Sequence, residues 1–173
     1  AGSVNTFRVI SYIWHGQVKI CPVILRIGQG GKYLDNAHAG GMFIAVDNDG
    51  TLHKTAFTEF NTQFTEHPDT HVKFEGWKIH PFPEVLKVAR KMHEAIPQVG
   101  VINWDFTIDE TGEAVLMESN MRSGSIWLIE MAHGKAVFGE DTAEILQWTR
   151  KMKNLPPDER SNYDRKKEIY SST

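Results

Sequence analysis

A single cysteine, Cys21, stands among 173 residues, which excludes an internal disulfide and a cysteine-rich zinc site. Within a strand pattern such a residue reads as a small buried hydrophobe rather than a nucleophile. No apolar run approaches the ~18 residues of a membrane span. The opening Ala1-Gly2-Ser3 lacks the charged-then-apolar pattern of a signal peptide, so a cytoplasmic chain is expected. Those three residues look like a cloning scar, and the chain then enters a strand pattern at once, as a fragment would. A basic excess is also missing. Nineteen Lys and Arg against 22 Asp and Glu leave a net charge of −3, which argues against a nucleic-acid or anionic-membrane surface. With 40% apolar and 24% charged residues, the composition is that of an ordinary globular domain.

Asn5 to Trp14 and Gln17 to Ile27 are β-branched and aromatic, and His15-Gly16 between them predicts a β-hairpin. Pro22 cannot donate a ladder bond, so the second strand is expected at an edge or bulged there. Residues 28 to 41, GQGGKYLDNAHAGG, hold five glycines. They lack the Lys-Ser/Thr of a P-loop and do not open a helix, so a phosphate cradle of that kind is poorly supported. A strand follows at Met42 to Val46, then strand pieces and loop over residues 51 to 82. A helix is predicted from Pro83 to Ile96, with Val85, Val88, Ala89, Met92 and Ile96 as its apolar stripe. A second runs from about Thr142 to Lys153, with Asp141 as N-cap and Glu144 completing a capping box. Residues 4–154 read as one domain. From Leu155 to Thr173 eight of nineteen residues are charged, which predicts a frayed or docked tail.

Two strands, VINWDFTI (101–108) and EAVLMES (113–119), carry the most chemistry. If the loop is Asp109 to Gly112, Ile108 pairs with Glu113 and Asn103 lies opposite Glu118. Alternation then gives a core face of Trp104, Phe106, Ile108, Val115 and Met117. The other face carries Asn103, Asp105 and Thr107 against Glu118 and Asn120. Asp105 becomes the diagonal neighbour of Glu118, with Cα atoms roughly 7–8 Å apart. Carboxylates that close, with amide oxygens and no His or Cys, suit Mg²⁺ or Mn²⁺. The same pattern also describes the solvated outer face of an ordinary antiparallel sheet. A loop of odd length would turn one strand over, and arginine links that left no room for an ion would count against a metal site.

Asn103-Trp104-Asp105 followed by Leu116-Met117-Glu118-Ser119-Asn120 resembles the metal-binding signature of the ATP-grasp superfamily. NTFRVISY, LRIGQGGKYLDNAHAGGMFIAVD, KFEGWKI and the WD…ESN hairpin, in that order, look like the sugar-transfer-associated ATP-grasp family over roughly residues 4 to 122. The resemblance implies an α+β fold, an antiparallel β-sheet flanked by helices, forming the C-terminal subdomain of an ATP-grasp unit. It also implies an ATP-dependent ligase of a polysaccharide or sugar pathway that turns a carboxylate into an acyl phosphate, which an amine or thiol attacks. By the same likeness Asp105, Glu118 and Asn120 hold Mg²⁺ or Mn²⁺ on the ATP phosphates. Arg26 contacts the acyl phosphate or substrate carboxylate, and Arg8 faces the same cavity. Asn36 approaches the phosphates, and Gly28, Gly30 and Gly31 give a substrate loop room to close.

Two departures are legible. The phosphate-covering glycine-rich loop, the α-phosphate lysine and the adenine hinge of ATP-grasp enzymes have no counterpart here. An N-terminal half of the same protein is therefore an expected partner, and the chain alone is expected to bind ATP weakly or not at all, without turnover. Met121-Arg122 stands where relatives often have Asn or Asp with Pro. The rival class is a non-catalytic carbohydrate- or nucleotide-binding module, suggested by Trp14, Trp77, Trp104, Trp127 and Trp148. Zinc at His67 and His71 is disfavoured because Pro68-Asp69 breaks the helix that would align them. Ser123-Gly124-Ser125 is not a hydrolase elbow.

Overall fold

A computed structural model describes residues 4–30, 41–121, 124–156 and 159. Eight strands form one antiparallel sheet: β1 (Thr6–Trp14), β2 (Gln17–Ile20), β3 (Val23–Ile27), β4 (Met42–Val46), β5 (Leu52–Phe57), β6 (Gln63–Phe64), β7 (Val101–Ile108) and β8 (Ala114–Asn120). Their order is β6-β5-β4-β3-β1-β7-β8, with β2 paired to the far part of β1. Three helices flank the sheet among the described residues: α1 (Phe82–Glu94), α2 (Ile126–His133) and α3 (Thr142–Asn154).

Local chemistry accounts for the turns. His15 and Gly16 both have positive φ, 49° and 71°, the two-residue loop whose twist matches the strands it joins. Pro22 splits the predicted second strand in two: β2 pairs with the end of β1, β3 with its start, and the Cys21 amide bridges to the Ile10 carbonyl at 2.8 Å. Gly50 (φ +90°) lies where a Cβ would overlap the Ile79 carbonyl, so this turn admits only glycine.

Alternation along the strands divides the core. Phe7 and Val9 of β1, Leu25 of β3, Ile44 of β4 and Trp104 and Phe106 of β7 face α1, which contributes Phe82, Val85 and Ala89. Ile10, Ile24 and Phe43 face the opposite side, under Leu128 and Ile129 of α2. Each such side chain, fully buried, contributes about 1.5–3 kcal/mol. By the same parity Thr6, Arg8, Arg26, Asn103 and Asp105 point to the α2 side, and there the apolar cover gives way to charge.

Several expectations need correction. Helix α1 is the one predicted, shifted to Phe82–Glu94, so Ile96 lies beyond it. Helix α2 was not foreseen. The capping box of α3 does not form. Asp141 instead accepts from Tyr12 Oη at 2.8 Å and Lys19 Nζ at 2.6 Å. Glu144 accepts from Trp14 Nε1 and His15 Nε2, both at 3.0 Å. These acids tie α3 to the β1–β2 hairpin rather than to their own helix. The charged tail lies outside the described residues except for 155, 156 and 159.

Candidate functional site

The β7–β8 connection runs through five residues, Asp109 to Glu113, because Ile108 pairs with Ala114 and not with Glu113. Asp109 organises it: its Oδ1 accepts from the amides of Thr111 and Glu113 and from Thr111 Oγ1. The Thr111 hydroxyl, then the backbone donors, hold the Asp109 pKa below the usual carboxylate value. This odd length turns the first half of β8 over relative to the four-residue loop expected. Leu116 therefore pairs with Phe106, while Val115 and Met117 are exposed rather than in the core. A bulge between Asp105 and Phe106 then inserts Met117 as an extra residue. Beyond it Glu118 lies directly opposite Asp105, and Asn120 directly opposite Asn103. The face expected for these four residues is thus the face they occupy, with Asp105 and Glu118 direct rather than diagonal neighbours.

The row extends across the sheet. Arg8 lies opposite Asp105 on the other flank of β7, and Arg26 opposite Thr6, one diagonal step away. Arg8 grips Asp105 through two parallel bonds, Nε to Oδ1 at 3.0 Å and Nη2 to Oδ2 at 2.8 Å. Arg26 Nη2 reaches the same Oδ2 at 3.1 Å. Thr6 Oγ1 accepts from Arg26 Nε and Nη2 at 2.9 and 2.7 Å. Asp105 is only 4% exposed, and a buried carboxylate held this way is costly to leave unpaired. Glu118, by contrast, is exposed and Asn120 half-buried.

Arginine links of the kind that would count against a metal site are therefore present, and the donor set has to be tested against them. A carboxylate offers about four acceptor positions, and the arginines use three at Asp105. One remains, on Oδ1. Glu118 and Asn120 are hard oxygen donors facing the same side. Asn103, 7% exposed, keeps a buried Oδ1 with no hydrogen-bond partner; its Nδ2 makes only a long bond to the Asn120 carbonyl at 3.4 Å. Gly124 presses on this carboxamide so closely that a Cβ there would overlap it. Among the described residues no three His, Cys, Asp or Glu side chains form a ready-made cation cage. The set fits a hard cation that brings further oxygen ligands of its own, held chiefly by Glu118 and Asn120.

The glycine-rich segment begins beside this row. Gly28 is buried, and its carbonyl accepts from His67 Nε2 at 3.1 Å. The Gly30 amide donates to Asp69 Oδ2 at 2.7 Å, with φ at +67°. His67 Nδ1 accepts from the Asp69 amide, so both ring nitrogens are engaged by neighbours on the chain rather than by a metal. Gly31 and Asn36 lie outside the described residues. Thr6 could have been suspected as a site residue, since it stands two before Arg8 on one strand. His67 and Asp69 carry no such signal, because their partners lie far away in sequence.

Beneath the row runs a buried polar chain that nothing in the sequence announced. Trp104 Nε1 donates to Ser11 Oγ at 2.7 Å, Ser11 meets His93 Nδ1 at 2.6 Å, and His93 Nε2 donates to the Val99 carbonyl at 2.7 Å. Burial pushes the His93 pKa down. The chain ties α1 to β1 and β7, the two strands that present Arg8 and Asp105. Of the five tryptophans, Trp14 and Trp104 are buried, while Trp77 and Trp127 are the exposed ones and sit on different elements.

An eight-stranded antiparallel sheet flanked by helices is consistent with an ATP-grasp domain. The chain belongs to the sugar-transfer associated ATP-grasp family, which it matches over residues 1–145. No curated protein and no solved structure matches it. Among the described residues no helix is long and apolar enough to cross a membrane.

Proposed function

We propose that this chain forms the metal- and acyl-binding part of a ligase that spends ATP to join a carboxylate to an amine or thiol through an acyl phosphate, in the biosynthesis of a sugar or polysaccharide. Family membership supports the ATP-dependent, ligase-like part. The observation that carries the finer assignment is the single row of Arg26, Arg8, Asp105 and Glu118 on one sheet face. Planar guanidinium forks suit carboxylate and phosphoryl oxygens. Arg8 spends Nε and Nη2 on Asp105 and keeps Nη1 for an incoming anion. Arg26, braced by Thr6, orients the acyl phosphate or the carboxylate that precedes it. Asp105 holds both arginines in place, so it acts on their geometry as well as on charge.

Mg²⁺ or Mn²⁺, when bound, neutralises the transferring phosphoryl group. Glu118 and Asn120 would hold it, with Asp105 sharing through its remaining acceptor position. Gly28, Gly30 and Gly31 give the connecting loop room to fold over a labile acyl phosphate and exclude water, and Asn36 approaches the phosphates. A cytoplasmic setting belongs to the same proposal, since the reaction consumes ATP.

The test is Glu118→Gln in the full-length protein, read as carboxylate-dependent ADP release. The exchange keeps shape and removes charge, so a loss of at least about a hundredfold is expected, with unfolding unchanged. Full retention of ligand binding together with no ATP consumption by either form would instead identify a binding module. On the 173-residue chain calorimetry should find no micromolar ATP affinity, because the residues that grip adenine are not among its own.

A further inference from the structure

The last turn of α2 brings His133 against His53 of β5, with ring centroids 5.2 Å apart and planes inclined at 67°. Each ring is anchored through the same atom. His133 Nε2 donates to the Val23 carbonyl at 2.8 Å, and His53 Nε2 donates to Asp47 Oδ1 at 3.0 Å. A carbonyl and a carboxylate oxygen only accept, so each neutral ring carries its proton on Nε2 and its lone pair on Nδ1. Neither Nδ1 has a hydrogen-bond partner among the described residues.

This is the outer shell that a metal-binding histidine needs. Such a residue gives its other ring N–H to a carboxylate or a backbone carbonyl, which fixes the tautomer and the ring orientation. Both kinds of acceptor are present, one on each ring. The spacing agrees as well. Two imidazoles on one tetrahedral ion, with nitrogen ~2.0–2.1 Å from the metal, have ring centres about 5 Å apart. The His53 side chain is 36% exposed, so an ion can enter and keep water in its remaining positions. Lys135 and Asp47 act on His133 with opposite sign, so their charges offset one another at the pair. No third His, Cys, Asp or Glu completes a cage among the described residues, which makes this a two-nitrogen clamp.

We propose that His53 and His133 bind a borderline transition-metal ion of the Zn²⁺ class through their Nδ1 atoms. Imidazole nitrogen suits zinc, copper and nickel, whereas carboxylate and carbonyl oxygens such as those of Glu118 and Asn120 suit magnesium or manganese. The two sites are therefore chemically separate, and this one stands whatever reaction the charged row performs. Asp47 and the Val23 carbonyl are positioning groups that hold the rings. The bound ion links the end of α2 to β5 and, through Val23, to the start of β3. It staples the far end of the helix that follows Gly124, the residue pressed against Asn103.

The experiment is calorimetric titration of the untagged chain with ZnCl₂, with MgCl₂ as the hard-cation control. Zn²⁺ should bind at this site with micromolar affinity, and an excess of Mg²⁺ should not displace it. His53→Gln and His133→Gln should each weaken that event at least about a hundredfold, beyond the cost of losing an outer-shell partner. Asp47→Ala, at an exposed position, should weaken it by about tenfold to a hundredfold. His80→Gln, which removes an exposed histidine outside the pair, should change nothing. Nitrogen NMR should show both rings as Nε2–H tautomers before metal is added, and both Nδ1 signals should move on saturation.

A zinc affinity that both histidine variants leave unchanged overturns the proposal, as does displacement by magnesium. So does an Nδ1–H tautomer on either ring. His53→Gln alters a partly exposed strand position, so if His133→Gln unfolds the chain, the His53 variant and the NMR signature decide the matter alone.

Discussion

Asp105 and Glu118 face each other across one strand pair, yet they do different things. Asp105 is buried between two guanidinium groups, and its removal takes away the carboxylate that Arg8 and Arg26 share. Asp105→Ala should lower the unfolding free energy by about 3 kcal/mol, whereas the exposed Glu118→Gln should change it by less than about 0.5 kcal/mol. Urea titrations of the two variants check this, and equal losses would show that Glu118 is also structural. The contrast matters for the proposed activity assay, because the Glu118 variant can be read without a loss of stability. Cys21 offers a second residue-scale test. Burial pushes its thiol up to about 12, so almost no thiolate exists near neutrality. Iodoacetamide at pH 8 should leave the folded chain unlabelled and label it fully in urea. Rapid labelling without denaturant would mean that the β2–β3 break opens.

At the scale of elements, the β7–β8 hairpin shows what a sequence discloses and what it withholds. The alternation of Asn103 and Asp105 with Trp104 and Phe106 was enough to assign faces on β7, because that strand is regular along its pairing with β1. It was not enough for β8. Asp109 collecting three donors fixes the loop, and the bulge adds Met117, and neither is periodic. The expected face for Glu118 and Asn120 was reached through two offsetting departures, an odd loop and an extra residue. Helix α2 escaped notice because IWLIEMAH is apolar on most sides and lacks the amphipathic stripe that marked α1. The acids at the start of α3 suggested a capping box, but the nearby Tyr12, Lys19, Trp14 and His15 compete for them. The turn before α2 supplies an element-scale prediction. Gly124→Ala should destabilise by about 1–3 kcal/mol, since its methyl group meets the Asn103 carboxamide. Asn103→Ala should relieve most of that loss in the double variant. An additive pair of effects in chemical denaturation would show that the two residues do not touch.

For the whole molecule, two histidines, His93 buried and His133 half-buried, make stability depend on pH in a defined direction. His93 and His133 both have pKa values lowered by burial. Below the ordinary histidine value of about 6.5 the unfolded chain takes up protons that the folded chain refuses. Stability from this source is therefore complete above that value and falls as pH is lowered through it. The urea midpoint should drop between about pH 7.5 and pH 5.5, and His133→Gln should shrink the drop; an unchanged difference would assign it to His93 alone. The sheet-and-helix class, the α1 stripe and the order of the motifs were all readable along the chain. The links that assemble them, His67 to Gly28, Asp69 to Gly30 and Ser11 to His93, join segments remote in sequence, and no local pattern encodes them.

The surplus methionine in β8 has a consequence for how such a domain can change. Excising that one residue would leave Leu116 against Phe106 and Glu118 against Asp105, now as an unbroken ladder. The local kink and its added twist would go, and the acid would keep its side of the sheet. This position is a tolerated splice point, where the domain can carry or shed a single uncharged side chain without turning the carboxylate inward.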